Sequence, residues 1–218
     1  MPETHDLTLI DYWRSGTSHR TRIALELKGL SYARVNFDLR AGAQKSAENL
    51  AHNPQGFVPT LVVDGQDLTQ SPAILEWLEE AYPEPPLLPA DTIARARVRA
   101  IAAAVACDIH PLGNMRVLKY LREELGADEK AAAAFAARWI TDGVAGIERL
   151  MAAGPGGPWA WGENPTLADC CLVPQLYAAV DRYNVQLSPR MREIEAAASR
   201  HPAFIAAHPK NQPDAPAG

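Results

Sequence analysis

Four prolines crowd into the eight residues from Tyr82 to Pro89, and they divide the chain into two parts with different apolar patterns. Proline fixes φ and lacks a backbone N–H, so neither a helix nor a central strand can continue through such a segment. Before it, strand-like and helix-like apolar stretches alternate; after it, apolar residues recur at helical spacing. The sequence therefore predicts a linker, with an α/β domain at residues 1–85 and an all-helical domain at residues 86–218.

The first part of the chain contains seven predicted elements in the order β-α-β-α-β-β-α. Between the last two strands, Asp64-Gly65 predicts a hairpin turn, because this dipeptide supplies the positive φ that such turns need. The order is typical of a thioredoxin-like fold. The seven elements are predicted at Leu7–Trp13, Ser18–Leu30, Tyr32–Asn36, Gln44–His52, Thr60–Val63, Asp67–Leu68 and Ser71–Ala81.

The second part is predicted to be a bundle of helices. One helix should begin at Thr166, where Thr166-Leu167-Ala168-Asp169 has the pattern of a capping box. The tail after Pro202 is predicted to be an ordered coil that frays at its end. Two further long helices are predicted from apolar residues at helical spacing, the first at Val98, Ile101, Ala102, Val105, Ile109 and Leu112 and the second at Phe135, Trp139, Val144, Ile147 and Met151.

Charge, hydropathy and cysteine spacing exclude several classes of function. The formal net charge is −5 and the basic residues are scattered, so no nucleic-acid partner is expected. No stretch approaches the roughly 18 apolar residues of a membrane span, and the N-terminus lacks the pattern of a signal peptide, which favours a cytoplasmic protein with no membrane partner. Cys107, Cys170 and Cys171 form neither a disulfide framework nor a metal-ligand spacing, so buried thiols and no metal site are expected.

Hydroxyl and basic side chains are concentrated in the loop from Arg14 to Arg20, between the first predicted strand and the first predicted helix. Three hydroxyls and three bases occur within these seven residues. A helix N-terminus has unsatisfied N–H groups and a partial positive charge, so this loop can hold an anion such as a thiolate or a carboxylate. The loop alone leaves open a simpler alternative, a capped helix with a solvated basic face.

Several motifs in a fixed order resemble the glutathione transferases. The loop is followed by Asn53-Pro54-Gln55-Gly56-Phe57-Val58-Pro59-Thr60-Leu61 and by Gln70-Ser71-Pro72-Ala73-Ile74. The strings SGTSHRTRIALELKG, QSPAILEWLEEAYP, DIHPLGN and CLVPQ are similar to the zeta class, whose members isomerise maleylacetoacetate or maleylpyruvate with glutathione. The resemblance covers about Leu7 to Asp214. It implies a thioredoxin-like glutathione-binding domain, a helical domain with the substrate-side pocket, and a homodimer.

The resemblance implies that the first domain binds glutathione. Ser15 is the implied catalytic residue, a hydroxyl that lowers the pKa of the thiol beside the positive end of the first helix. Gln70 and Ser71 are implied for the γ-glutamyl group, with Ser71 as the N-cap of its helix. The backbone of Val58 is implied to bind the cysteinyl backbone of glutathione, and the peptide bond between Val58 and Pro59 is expected to be cis. Gln44 is implied to lie near the glycyl end of glutathione. A solvated loop residue is the alternative for Gln44.

The loop departs from the zeta pattern at two positions. Thr17 stands where the class usually has cysteine, and His19 stands where it usually has an aromatic residue. Either Thr17 donates a hydrogen bond in place of the cysteine, or the cysteine is dispensable. The pair Gly16-Thr17 is more similar to the bacterial maleylpyruvate branch. Both residues are assigned to the glutathione site, and Thr17 is also assigned a catalytic role beside Ser15.

The implied substrates are dicarboxylates with a cis-enone, for which arginine is the natural partner because it binds carboxylates bidentately. Arg14 and Arg182 are assigned catalytic roles, and Arg116 is a weaker candidate whose alternative is a surface salt bridge. On the first long helix, i, i+4 spacing should align His110 with Asn114. His110 is predicted to contact glutathione or stabilise an enolate, with a packed core histidine as the alternative. The residues assigned to the glutathione site in this domain are Asp108, His110, Asn114 and Arg116.

Two other functions are weighed against a glutathione-dependent isomerase of aromatic catabolism. A general zeta-class transferase or haloacid dehalogenase would keep the thiol site and demand less of the arginines. A non-catalytic domain that binds partners would not need the thiol-activating hydroxyls, yet Ser15, Thr17 and Ser18 are all present.

Overall fold

The computed structural model describes residues 5–216 and divides them into two compact units. One unit runs to Leu87 and resumes at Ser199, and the other comprises Leu88–Ala198. The stretch from Ser199 onward groups with the α/β part of the chain although it follows the helical part in sequence. Within the first unit it packs against the first helix, where Arg22 Nε donates to the Ala207 carbonyl at 3.0 Å.

The first unit is built on a four-stranded mixed sheet with strand order β2-β1-β3-β4. Strand β1 is parallel to β2 and antiparallel to β3, and β3 and β4 form a hairpin. The predicted turn is confirmed, since Asp64 and Gly65 both adopt positive φ, 49° and 80°. The strands are β1 Leu7–Asp11, β2 Ala33–Asn36, β3 Thr60–Val63 and β4 Gln66–Thr69.

Side-chain caps determine where the helices of the first unit begin. The first helix starts at Gly16 rather than at Ser18, because the Ser15 hydroxyl accepts from the Ser18 N–H and caps it. The element predicted over residues 44–52 is split, because Ser46 caps a separate helix after a 3-10 turn at Ala43–Lys45. The helices are α1 Gly16–Leu27, α2 Ala47–His52 and α3 Ser71–Ala81, with α9 Pro202–Ala207 in the returning segment.

The returning segment corrects the prediction of a coil after Pro202. Besides α9 it contains a 3-10 turn at Pro209–Asn211. Each of these short elements begins with a proline. The N–H at the first helical position has no partner within the helix, so a proline there loses no hydrogen bond. The predicted fraying concerns the chain end, which lies beyond the described residues.

The second unit is all-helical. Among residues 5–216 no helix is both long enough and apolar enough to cross a membrane. The longest helix is α6, and α4 packs mainly against α7. The helices are α4 Thr92–Ala103, α5 Met115–Glu123, α6 Glu129–Met151, α7 Leu167–Tyr183 and α8 Pro189–Ala198.

The helix predicted from Thr166 is present, and Asp169 organises its start. The Asp169 carboxylate is fully buried and accepts from the Thr166 N–H at 2.8 Å and from the Thr166 hydroxyl at 2.9 Å. Its other oxygen accepts from the Ala160 N–H at 2.7 Å. Burial raises the pKa of this carboxyl to about 6. Its hydrogen bonds act in the opposite direction, but their effect on the pKa is smaller than that of burial.

The first long helix does not continue to Leu112, as its apolar spacing suggested. After α4 the backbone widens into a π-helix over Ala104–Ile109, and the chain then turns. Pro111 lacks a backbone N–H and its ring clashes with the preceding turn, which disfavours continuation of the helix at this point. The expected alignment of His110 with Asn114 on one helix face is therefore wrong.

Only two of the three cysteines are buried. Cys170 and Cys171 lie in the core on α7, as predicted. Cys107 is exposed and its predicted burial is wrong, because it lies two residues after the buried Val105 and so on the opposite face of the helical segment.

Candidate active site

A tight turn from Tyr12 to Ser15 connects β1 to α1. The Ser15 N–H donates to the Tyr12 carbonyl at 3.0 Å and closes the turn. The Ser15 Oγ then accepts from the Ser18 N–H at 3.2 Å. This places a hydroxyl at the N-terminus of a 12-residue helix, whose partial positive charge favours an anion at that point.

Thr17 connects this hydroxyl to the loop before Pro59. Thr17 Oγ1 donates to the Val58 carbonyl at 2.9 Å. A hydroxyl has one proton to donate, so across the 2.9 Å between the two hydroxyls it is Ser15 that donates to Thr17. The expected cis bond between Val58 and Pro59 is confirmed. The structure thus brings together Ser15, Thr17 and Val58 by a chain of hydrogen bonds.

Helix α3 has the predicted bounds, Ser71–Ala81, but the prediction that Ser71 is its N-cap is wrong. Ser71 is the first helical residue and Gln70 is the N-cap, with φ +68° and no capping bond from its side chain. The Gln70 amide instead donates to Gln55 Oε1 at 2.6 Å. Ser71 is buried, and its hydroxyl accepts from Arg20 Nη1 at 3.5 Å. The N-terminus of α3 therefore has a buried hydroxyl with a guanidinium beside it.

Arg20 is a candidate site residue that the sequence did not single out. Its side chain is 2% exposed on α1, and it carries positive charge to the start of α3. A carboxylate held at this helix start would gain from both the charge and the helix N-terminus. The available signal was helical spacing, because Arg20 follows Thr17 by three residues and so lies on the same face.

The remaining candidates of the first unit lie on the Ser15 turn and on the segment before α2. Arg14 is in the turn, with its guanidinium 6.0 Å from the centre of the Trp13 ring, and Gly16 is the first residue of α1. Gln44 lies in the 3-10 turn, and its Oε1 is buried with no hydrogen-bond partner. A buried amide oxygen without a donor is costly, so a ligand N–H would satisfy it.

These groups fit glutathione part by part. The Ser15 hydroxyl suits a thiolate, and the backbone of Val58, two residues before β3, suits the cysteinyl peptide. Ser71 with Arg20 suits the γ-glutamyl carboxylate, and Gln44 Oε1 accepts an amide N–H.

In the second unit, the candidates follow the π-helix. Asp108 is exposed near its end, and His110 is half-buried directly after it. Asn114 is the N-cap of α5, where its side chain accepts from the Arg116 N–H at 3.1 Å, and Arg116 itself is exposed. The Asn114 side-chain oxygen therefore has a structural role in addition to the predicted one.

Arg182 lies in the last turn of α7 and is half-buried. The neighbouring Tyr183 hydroxyl donates to the Gly113 carbonyl at 3.2 Å. This bond holds the end of α7, where Arg182 is the preceding residue, against the loop that separates His110 from Asn114.

Replacement of Thr17 by valine is expected to raise the KM for glutathione about tenfold. Valine keeps the shape but leaves the Val58 carbonyl without its donor, a loss of about 1–3 kcal/mol. Thr17→Ser keeps the hydroxyl and is the matched control, with kinetics near those of the wild type. Steady-state kinetics at varied glutathione measure the effect, and equal KM values for the valine and serine variants would exclude this role.

Comparison with known proteins identifies the family. Residues 14–81 match the family model "Glutathione S-transferase, N-terminal domain". The chain is 49% identical to a maleylpyruvate isomerase of Ralstonia sp, covering 95% of this chain and 99% of that protein. It is 50% identical to a maleylacetoacetate isomerase of Pseudomonas aeruginosa, covering 97% of this chain and all of that protein.

Solved structures agree with this assignment. A holo maleylpyruvate isomerase, described as a bacterial zeta-class glutathione S-transferase, superposes with a TM-score of 0.93 at 48% identity, covering 96% of this chain and 100% of that one. A maleylacetoacetate isomerase of Anaeromyxobacter dehalogenans, with dicarboxyethyl glutathione and citrate in its active site, has a TM-score of 0.87 at 43% identity, covering 99% and 100%. The chain therefore belongs to the zeta class of glutathione transferases, with the thioredoxin-like and helical parts of that fold.

Proposed function

We propose that this protein is a glutathione-dependent cis-trans isomerase that converts a maleyl keto acid, maleylpyruvate or maleylacetoacetate, into its fumaryl isomer in aromatic catabolism. The observation that carries the proposal is the Ser15 hydroxyl at the N-terminus of α1, hydrogen-bonded through Thr17 to the Val58 carbonyl. Identity of 49% and 50% over nearly the whole chain to isomerases named for the two substrates supports it.

Ser15 is the residue proposed to activate the thiol. When bound, glutathione supplies a thiolate that adds to the substrate double bond and later leaves, so that none is consumed. The Ser15 O–H turns from Thr17 to donate to the sulfur, and the N-terminus of α1 adds its positive charge. Both interactions favour the thiolate over the thiol, which lowers the thiol pKa.

Arginines are proposed to bind the substrate carboxylates and to stabilise the charge that develops on its carbonyl oxygen. Arg14, in the Ser15 turn, and Arg182, at the end of α7, are proposed for these roles. The dicarboxyethyl glutathione and citrate of the Anaeromyxobacter enzyme are ligands of the same chemical class, which supports carboxylate recognition.

The other assigned residues are proposed to hold the cofactor. In the first unit these are Gly16, Thr17, Gln44, Val58, Gln70 and Ser71, to which Arg20 is added; in the second they are Asp108, His110, Asn114 and Arg116. We propose that the first domain, residues 1–85, binds glutathione and that the helical domain, residues 86–218, carries the substrate-side pocket. The homodimer is proposed from the resemblance, and sedimentation of the purified protein tests it. The cytoplasmic location expected from the sequence is kept as a proposal.

Replacement of Arg182 by leucine is expected to raise the KM for maleylpyruvate between about 10-fold and 100-fold while the affinity for glutathione stays unchanged. A charge-assisted hydrogen bond to a carboxylate contributes about 1.5–3 kcal/mol, and leucine cannot make one. Arg138→Leu is the matched control, since Arg138 is exposed and pairs with Asp142 at 2.5 Å. Equal KM values for the two variants would remove Arg182 from the substrate site.

The fate of glutathione during turnover separates isomerisation from the alternatives. An isomerase leaves the free thiol concentration constant while the substrate changes to its fumaryl isomer, which chromatography of the products detects. A conjugating transferase instead consumes one thiol for each substrate, and a dehalogenase releases halide from a haloacid. Thiol consumption equal to substrate loss would overturn the proposed function.

A further inference from the structure

We propose that Asp214, near the end of the chain, is a positioning residue for the Ser15 turn and so for thiol activation. The inference rests on the proposed function of Ser15, but Asp214 itself contacts neither Ser15 nor any group assigned to substrate or cofactor. It acts on the backbone of Trp13, two residues before Ser15.

Side chains hold both backbone polar groups of Trp13. The Trp13 N–H donates to Asp214 Oδ2 at 2.9 Å across 201 residues of sequence, and the Trp13 carbonyl accepts from Arg22 Nη2 at 2.9 Å. Just before them, the Tyr12 N–H donates to Asp11 Oδ1 at 2.6 Å. Side chains therefore hold the backbone of Tyr12 and Trp13, and within the turn the backbone hydrogen bond is the one from the Ser15 N–H to the Tyr12 carbonyl.

The contacting side chains form one ionic network, which is buried at Asp11 and Arg22 and partly exposed at Arg34 and Asp214. Asp11 and Arg22 have fully buried side chains, and Arg22 Nη1 lies 2.8 and 2.9 Å from the two Asp11 oxygens. Arg34 joins this pair to the tail, because its Nη2 bonds both Asp11 and, at 3.2 Å, Asp214 Oδ1. Opposite charges thus alternate from β1 through Arg34 to Asp214.

Specific hydrogen bonds also set the path of the tail to Asp214. Gln212 Oε1 accepts from Arg34 Nη1 at 2.9 Å, and Gln212 Nε2 donates to the carbonyls of Ala206 and His208 at 2.8 Å each. Arg22 Nε holds the Ala207 carbonyl at 3.0 Å. The same two arginines therefore bind the tail and, directly or through Asp11, the Ser15 turn.

Loss of the Asp214 carboxylate would leave the Trp13 N–H without its acceptor and Arg34 with one carboxylate fewer. The turn would then be held by Asp11 at the Tyr12 N–H and by Arg22 at the Trp13 carbonyl, and small displacements of a catalytic group are costly for rate. We expect Asp214→Ala to lower kcat about tenfold with the KM for the maleyl substrate unchanged.

The test compares Asp214→Ala and Asp214→Asn with Asp64→Asn in the full-length protein. Asp64 lies at the opposite end of β1, where its Oδ1 accepts from the Asp6 N–H at 2.8 Å. Asp64→Asn keeps that acceptor and removes only the charge, so it is the matched control for Asp214→Asn and the control for loss of charge elsewhere on β1. Without any ligand, hydrogen exchange of the peptide that contains residues 12–15 should be about tenfold faster in Asp214→Ala and unchanged in Asp64→Asn. With glutathione, ultraviolet titration should show a higher pKa of the bound thiol only in Asp214→Ala.

The outcomes separate this inference from the proposed function. Unchanged exchange at residues 12–15 together with an unchanged thiol pKa would overturn the role of Asp214, even if the variant unfolds at a lower temperature. If exchange rises as expected but the wild type does not isomerise either maleyl substrate, the proposed function fails while the tether stands. Asp214→Asn, which keeps an acceptor for Trp13 but loses the charge, should fall between the wild type and Asp214→Ala.

Discussion

Replacement of Ser15 by alanine should lower kcat/KM for glutathione-dependent isomerisation by about 10²–10³-fold, the size of effect seen when one donor to a developing anion is removed. Alanine cannot donate to the sulfur, and the N-terminus of α1 alone must then stabilise the thiolate. The pKa of the bound thiol should rise accordingly, so the loss of rate should diminish at higher pH. Steady-state kinetics across pH measure both effects.

Ser46 provides the control for this variant. Like Ser15 it caps a helix, and its hydroxyl accepts from the Asn49 N–H at the same 3.2 Å. Each alanine variant should lose about 1 kcal/mol of helix stabilisation, but only Ser15→Ala should lose activity. A Ser15→Ala enzyme within twofold of the Ser46→Ala enzyme would show that Ser15 does not activate the thiol.

Replacement of Asp169 by alanine should have the largest effect on stability, a loss of about 3 kcal/mol in the free energy of unfolding. The variant leaves the buried N–H groups of Ala160 and Thr166 without acceptors, and each such loss costs about 1–3 kcal/mol. Asp128→Ala is the control, because Asp128 caps α6 at an exposed position with one bond, of 2.7 Å, to the Ala131 N–H. Urea denaturation should give a loss near 1 kcal/mol there, and equal losses would contradict the account.

The pH dependence of stability gives a second measurement at Asp169. Its native pKa, about 6, lies above the ordinary 3.8, so the native state binds this proton more tightly than the unfolded chain does. Its stabilising contribution is therefore complete below about pH 4 and is lost as the pH rises through about 6. Asp169→Asn does not titrate, so the stability of the wild type relative to this variant should decrease between these pH values.

Local sequence signals predicted much of the first unit. The Asp64-Gly65 turn and the alternation of strand and helix patterns each depend on neighbouring residues, and the structure has the elements in the predicted order. Side-chain caps then moved the boundaries, since the Ser15 cap starts α1 at Gly16. The helical unit was harder to predict at one place, because the π-helix over Ala104–Ile109 leaves the apolar spacing intact while changing the register of His110.

In the candidate site, too, features within one short segment were predicted from the sequence, and contacts between distant residues were not. Ser15 and Thr17 were identified from a single loop, and Val58 was assigned to the same site from the resemblance. The hydrogen bond from Thr17 to the Val58 carbonyl was not predicted. The interactions that the sequence did not reveal join residues far apart along the chain, as Arg20 with Ser71 and Trp13 with Asp214 do. Charged residues of this kind are commonly solvated, and only the fold shows that Arg20 is buried.

The central claim is tested most directly by following the absorbance of maleylpyruvate and, separately, of maleylacetoacetate with the purified protein, with and without glutathione. The account predicts loss of the cis-enone only when glutathione is present, with the free thiol concentration unchanged, and the faster substrate identifies the pathway. Turnover of neither substrate, or an equal rate without glutathione, would contradict it.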